Sequence, residues 1–196
     1  MLAERLKDIK VILGSQSPRR KELLASLDID FEVIIKSVDE SIPPNITSPD
    51  AAEYVALRKL NAFDPMDYTN TLIITADTVV VNQGNVVLGK PQTNEEAIQV
   101  IKSLSGTSHQ VYTGLALRYK DLEVSFTEET TVYFETLEEN EIQYYVEKYK
   151  PYDKAGAYGI QEWIGRIAVS RIEGSYENVM GLPTVKLYQE IKNIIK

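Results

Sequence analysis

Strand-like and helix-like segments alternate along the 196-residue chain, and this alternation predicts an α/β or α+β fold. Two further observations support an ordered fold of that kind. Hydrophobic residues make up 43% and charged residues 26%, with no low-complexity tract or long linker, so a packed core is expected throughout. No internal repeat is visible, which removes solenoid arrays. A chain of this length buries roughly 70% of the surface that its unfolded form exposes.

The elements follow in order. Lys10 to Leu13 is an apolar, β-branched run and reads as a first strand, stopped by Gly14. Ser17 is placed to cap a helix that starts at Pro18, the first-turn position proline tolerates, and runs through Ala25. Phe31 to Lys36 reads as a second strand, and Ser48-Pro49-Asp50 opens a helix to about Phe63. Leu72 to Thr75 reads as a buried strand ending in Ala76-Asp77-Thr78. Val79 to Asn82 and Val86 to Leu88 form a hairpin around Gln83-Gly84. Thr93 and Glu96 form a capping box before a helix to Leu104. His109 to Tyr119 and Leu122 to Phe134 read as two long strands turning at Lys120-Asp121. Thr136 and Glu139 suggest a second capping box, with a helix to about Tyr149. Residues 150–161 are too rich in Gly and Pro for a regular element. Ile164 to Ile172 reads as a strand, Glu173-Gly174-Ser175 as a turn, and Thr184 to Ile195 as a final helix.

Composition excludes several chemistries. The chain has no cysteine, so disulfides, thiolate zinc, iron–sulfur clusters and cysteine nucleophiles are absent. Its one histidine, His109, lies in a strand-like run and reads as a strand residue. No apolar run approaches the roughly 18 residues of a membrane span, and MLAERLKDIK lacks the apolar segment of a signal peptide, so a cytoplasmic protein is expected. A net charge of −8 disfavours general nucleic-acid binding. A small anionic ligand remains open if local cations override that sign.

Four groups of residues could carry chemistry. Gly14-Ser15-Gln16-Ser17-Pro18-Arg19-Arg20 joins a strand to a helix, where free backbone N–H groups, the helix dipole, hydroxyls and guanidinium groups favour an anion. The loop has one glycine, so neither the Walker A nor the dinucleotide pattern is met. Asp77 offers a carboxylate where α/β proteins hold metals and substrates. The haloacid-dehalogenase pattern fails there, because the second acid it needs is replaced by Val79. Glu40, Lys59 and Lys90 are scattered charges, each of which alone reads as surface. Finally, Gly156 and Gly159 permit close backbone approach in a loop whose Gln161 amide could meet a flat ligand edge.

Taken together these stretches resemble the Maf nucleotide pyrophosphatases. The matching segments are Ser15 to Leu24, Val38-Asp39-Glu40, Ala76-Asp77-Thr78, Leu88-Gly89-Lys90-Pro91, Leu104-Ser105-Gly106, Asp153 to Gln161 and Val179-Met180-Gly181-Leu182-Pro183, in family order over nearly the whole chain. The resemblance implies an α/β fold related to inosine triphosphatase, with a long mixed sheet, and residues 1–196 as one domain of two lobes around a central cleft. It implies hydrolysis of a nucleoside triphosphate to monophosphate and diphosphate with a divalent cation, magnesium or manganese. Asp77 is then the proton acceptor, Glu40 and Asp77 offer metal ligands, and Ser15, Arg20, Lys59 and Lys90 bind phosphate. Arg19, Thr78 and Gln161 fall on specificity positions, and all three are of the type found in the dTTP/UTP subgroup. One departure follows Gln161: many members have glycine there, and this chain has Glu162. The implied partner is the nucleotide, with neither nucleic acid nor membrane; a homodimer is left open. Two rivals remain: a pyrophosphatase for a modified purine triphosphate, and a non-catalytic nucleotide-binding regulator of cell division. Asp77 argues against the second, and the residues at Arg19, Thr78 and Gln161 argue against the first.

Overall fold

A computed structural model describes residues 1–195. Its helices are α1 (Leu2–Leu6), α2 (Pro18–Ala25), α3 (Ser48–Asn61), α4 (Asn94–Leu104), α5 (Glu139–Tyr149), α6 (Trp163–Ala168), α7 (Tyr176–Met180) and α8 (Thr184–Ile194). Its strands are β1 (Lys10–Leu13), β2 (Glu32–Val33), β3 (Thr71–Val81), β4 (Val87–Leu88), β5 (Ser108–Tyr119), β6 (Leu122–Phe134) and β7 (Val169–Glu173). The sheet is mixed, in the order β2-β1-β3-β5-β6-β7 with β4 paired to β3. β1 runs parallel to β2 and β3, whereas β4 lies antiparallel to β3 and β7 antiparallel to β6. The α/β expectation and the long mixed sheet are both met.

The chain divides into two compact units. The first comprises Met1–Asp77, Thr113–Glu128 and Gly181–Lys196, and one of its buried clusters is Ile12, Ala56, Leu60, Phe63, Ile73 and Ala116. The second comprises Thr78–Tyr112 and Glu129–Met180, with a core that includes Ile101, Leu104, Val132, Tyr145, Tyr158 and Ile164. In the second unit His109 is fully buried, edge-on to Phe134 and Tyr158, with Nε2 2.7 Å from the Tyr158 hydroxyl. Burial pushes its pKa down to about 4, so it is a neutral strand residue at pH 7.

Several expected boundaries hold for the expected reasons. Ser17 Oγ accepts from the Arg20 backbone N–H and caps α2, and Thr93 Oγ1 accepts from Glu96 N–H at 3.1 Å and caps α4. Glu96, however, turns its carboxylate to the Gln92 N–H, so that box is not reciprocal. Other expectations are corrected. The second strand covers only Glu32–Val33, and both residues are exposed, so no buried face extends the pairing. The cap of α5 is Glu138, two residues beyond Thr136; its N–H donates to Glu141 at 2.8 Å. Ile164 to Ile172 is not one strand. Residues 163–168 form α6, which buries Ile164 and Ala168 one turn apart, and β7 starts only at Val169. The helices α1 and α7 carry no strong signal in the sequence; each spans five residues.

Asp77 also sits differently from its expected place at a strand end. β3 continues unbroken through it to Val81. Nine of the eleven residues of β3 are buried, and the two that keep some exposure are Asp77 and Thr78. A single gap in a buried strand therefore displays the candidate carboxylate.

Candidate active site

In the first unit, β1 leads into the loop at Gly14, whose N–H donates to the Ile74 carbonyl at 2.8 Å. A Cβ on Gly14 would stand 2.8 Å from the Thr75 side chain and 3.2 Å from the Phe63 ring, so only glycine lets the loop leave the sheet here. Ser15 is buried. Its Oγ accepts from Ser17 N–H at 3.3 Å and from Arg20 Nη1 at 3.1 Å. Arg20 is also buried, and it donates through Nη1 to the Ala76 carbonyl at 3.0 Å and through Nε to the Gly181 carbonyl at 2.8 Å. Burial lowers its pKa from the usual guanidinium value, and the neighbouring Arg19 acts in the same direction; Asp77 and Glu40 oppose the shift. Arg20 therefore ties the anion-type loop to β3 and to the turn before α8. Arg19, in the first turn of α2, is half-buried.

The charged centre lies one residue beyond Ala76. Lys59 Nζ donates to Asp77 Oδ1 at 2.7 Å and pairs with Glu40 Oε1 at 3.0 Å. Lys59 and Asp77 are largely enclosed, with side chains 14% and 18% exposed, whereas Glu40 is half exposed. Lys59 reaches this point because α3 packs closely on β5: a Cβ on Gly114 would stand 2.1 Å from the Glu53 nitrogen. Thr75 Oγ1 adds a bond from β3 to the Ala56 carbonyl of α3 at 2.8 Å. The residue before Lys59, Arg58, pairs at 3.7 Å with the residue before Glu40, Asp39. Asp39 in turn accepts from Ser41 N–H at 2.9 Å, and that bond is the main reason its pKa lies below the usual carboxylate value. Two adjacent ion pairs thus hold the irregular segment that carries Glu40 against α3.

Two carboxylates of this centre are the donors available to a divalent cation. No cluster of three or more His, Cys, Asp and Glu side chains that could hold a metal occurs among the described residues. Glu40 and Asp77 both reach the same ammonium, so they can share one small cation as two hard oxygen donors. Magnesium characteristically takes one or two carboxylates and completes its shell with water and substrate phosphate.

In the second unit, Thr78 follows Asp77 on β3, and Lys90 is exposed just after β4. Gln161 lies in the turn before α6, and its side-chain Oε1 is buried without a hydrogen-bond partner. An unpaired buried acceptor costs about 1–3 kcal/mol, which a ligand donor would offset. The structure thus brings Ser15 with Arg20, and Glu40 with Lys59 and Asp77, within the first unit. The supporting carbonyls of Ala76 and Gly181, and the Asp39–Arg58 pair, were not foreseen. Backbone acceptors carry no residue-type signal, and pairing across 19 positions is invisible to local pattern.

Comparison with known proteins identifies the family. A family model described as Maf-like protein matches residues 10–194. The chain is 51% identical over 193 residues to a dTTP/UTP pyrophosphatase of Parabacteroides distasonis, covering 98% of this chain and 100% of that one. It is 46% identical over 195 residues to a dTTP/UTP pyrophosphatase of Flavobacterium johnsoniae, covering both fully. Among solved structures, the fold is similar to the Staphylococcus aureus Ham1 protein, with a TM-score of 0.52 over 92% of this chain and 99% of that one, at 16% identity. The match along residues 10–194 and the full-length relatives make one conclusion plain: this chain belongs to the Maf family.

Proposed function

We propose that this protein hydrolyses dTTP and UTP to the nucleoside monophosphate and diphosphate. The observation that carries the reading is the enclosed Lys59, held between Asp77 and Glu40. The names of the full-length relatives support the same chemistry. Lys59 engages Oδ1 of Asp77, which leaves Oδ2 as the atom that takes the proton of an attacking water. That water attacks the α-phosphorus, and diphosphate leaves without a covalent enzyme intermediate. Glu40 and Asp77 would hold a magnesium or manganese ion together with the triphosphate; the ion supplies positive charge against the polyanion and a more acidic bound water. Lys59, Lys90, Arg20 and Ser15 are the groups we assign to the phosphates. This local positive charge is needed because the chain carries a net −8.

Arg19, Thr78 and Gln161 are assigned to the base. Uracil and thymine present two carbonyls around an N3–H. The Gln161 amide can pair with one carbonyl and the N3–H, and its unpartnered Oε1 is the atom that would accept from N3–H. The test is diphosphate release from dTTP, UTP, CTP, ATP and GTP by the purified protein, with magnesium, with manganese and after exhaustive chelation. The expected order is dTTP and UTP comparable, CTP slower and the purines slowest, with activity lost on chelation. A purine preference, or full activity in metal-free protein, would overturn the reading.

A further inference from the structure

Gln161 makes no hydrogen bond through Oε1, so its placement depends on the backbone that carries it. That backbone is a tight turn: Glu162 N–H donates to the Gly159 carbonyl at 3.0 Å, which makes Ile160 and Gln161 the two central residues. Both ends of the turn are tied to one hydroxyl. Gly159 N–H donates to Tyr145 Oη at 3.0 Å, and Tyr145 Oη donates to the Glu162 carboxylate. The other oxygen of that carboxylate, Oε1, lies 3.2 Å from the ammonium of Lys154, a buried cation that also binds Asp153 at 2.8 Å. Tyr145 is itself fully buried, and its ring stacks on Tyr149 with centroids 5.0 Å apart. Space around the turn is tight. A Cβ on Gly159 would stand 2.8 Å from the Glu162 carboxyl carbon, and one on Gly165 would stand 1.9 Å from the Ile160 carbonyl oxygen.

We propose that Tyr145 and Glu162, with Lys154 behind them, are positioning residues that fix the Gln161 turn and thereby set which base is accepted. The proposal rests on the reading of Gln161 as a base-contacting residue. An amide that must present a donor and an acceptor to one base edge needs its backbone held within about 0.5 Å, and a displacement of about 1 Å can cost on the order of 10²-fold. Tyr145 supplies that restraint through a single oxygen that bonds both turn ends, and its ring is anchored in the core.

Tyr145→Phe keeps the ring and removes only that oxygen. The expected result is a KM for dTTP and UTP raised about 5–20-fold, a kcat within about threefold of wild type, and a dTTP/CTP selectivity narrowed about tenfold. Amide hydrogen exchange at residues 159–162 should accelerate while exchange in β3 stays unchanged. Glu162→Ala should act in the same direction and Glu162→Gln less, because its amide oxygen still accepts from Tyr145. If Tyr145→Phe fails to fold, Glu162→Ala carries the test. Folded variants with unchanged exchange at 159–162, or with a loosened turn and unchanged selectivity across the five nucleotides, would overturn the proposal. A fall in kcat with KM and selectivity unchanged would do the same. A wild-type protein that prefers another base would overturn the proposed function instead; the exchange data and the variants' selectivity for that base would then decide this proposal.

Discussion

Lys59 lies in the first unit and Gln161 in the second, and their surroundings differ in kind. Lys59 is fixed by charge: two carboxylates reach its ammonium, and a second ion pair lies one residue away on each side of the contact. Gln161 is fixed at second hand: its own amide oxygen has no partner, and the ends of its turn meet a tyrosine hydroxyl backed by the Glu162–Lys154 ion pair. Charge at the first site suits a polyanion, because a phosphate or cation exchanges with partners that are already ionic. The neutral Gln161 amide at the second suits a flat uncharged ligand, whose recognition depends on angle more than on field. The first arrangement tolerates movement of a flexible side chain; the second does not.

The sharpest way to break this contrast is to neutralise the charged centre without changing its shape. Asp77→Asn keeps an oxygen for Lys59 and should leave the fold and nucleotide binding intact. It should lower kcat by about 10²–10⁴-fold, since an amide cannot take the proton from water. Steady-state kinetics on the purified variant checks this, and near wild-type turnover would move the base elsewhere.

The second unit has its own test in His109. Its folded pKa of about 4 lies well below its ordinary 6.5. Above pH 6.5 both folded and unfolded forms are neutral and no stability depends on it. As pH falls below 6.5 the unfolded chain takes up the proton first, so stability is lost progressively until about pH 4. The full span is about 3 kcal/mol. Urea unfolding at pH 7 and pH 4.5 should therefore show a smaller loss in His109→Gln than in wild type. Equal losses would mean that burial does not lower the pKa of His109 in the folded protein.

These contrasts also explain what could be read in advance. The long strands β5 and β6 and the caps at Ser17 and Thr93 were legible, because alternation and capping are local patterns. Ser15, Arg19, Arg20, Asp77 and Gln161 stand out in the residues themselves, whereas Glu40, Lys59 and Lys90 read alone as surface charges and, with the role of Thr78, enter only through the family resemblance. Tyr145 did not, because its spacing on α5 makes it an ordinary core aromatic; only its hydroxyl's contact with Gly159 and Glu162 separates it from its neighbours. Residues 164–168 read as strand because Ile164 and Ile167 favour strands locally, whereas the burial of Ile164 and Ala168 on one helix face is decided by tertiary packing.

A smaller effect is expected at Arg19, where the two modes of recognition would act on one base. A guanidinium only donates, so it favours the O4 carbonyl of uracil or thymine and opposes the amino group of cytosine. Two donors facing each other in a partly enclosed site cost about 1–3 kcal/mol, or roughly 5–150-fold in selectivity. Arg19→Ala should narrow the UTP/CTP ratio by a factor in that range and raise the KM for UTP by less. An unchanged ratio would overturn this account of the base site, because the Gln161 amide can rotate to suit cytosine as well.

The smallest effect is expected at Arg58, and it sharpens the comparison within the charged region itself. Arg58 and Lys59 are neighbours on α3 and pair with the neighbours Asp39 and Glu40, yet their settings differ. The Arg58–Asp39 pair is 36% and 64% exposed and 3.7 Å long, whereas Lys59 and Asp77 are enclosed at 2.7 Å. Water and salt screen the exposed pair, so its contribution is small. The Tyr54 ring, 5.8 Å from the Arg58 guanidinium, adds a contact that Ala would also lose. Arg58→Ala should therefore loosen the segment carrying Glu40 only slightly, raising KM for the nucleotide by a factor of about 1.5–5 with kcat unchanged. Because the pair is exposed, the difference between variant and wild type should shrink as salt is raised from 50 mM to 500 mM, a range over which the screening length falls from about 14 Å to about 4 Å. A loss comparable to that of Asp77→Asn, or one that persists at high salt, would show that Arg58 serves the reaction directly rather than holding Glu40 in place.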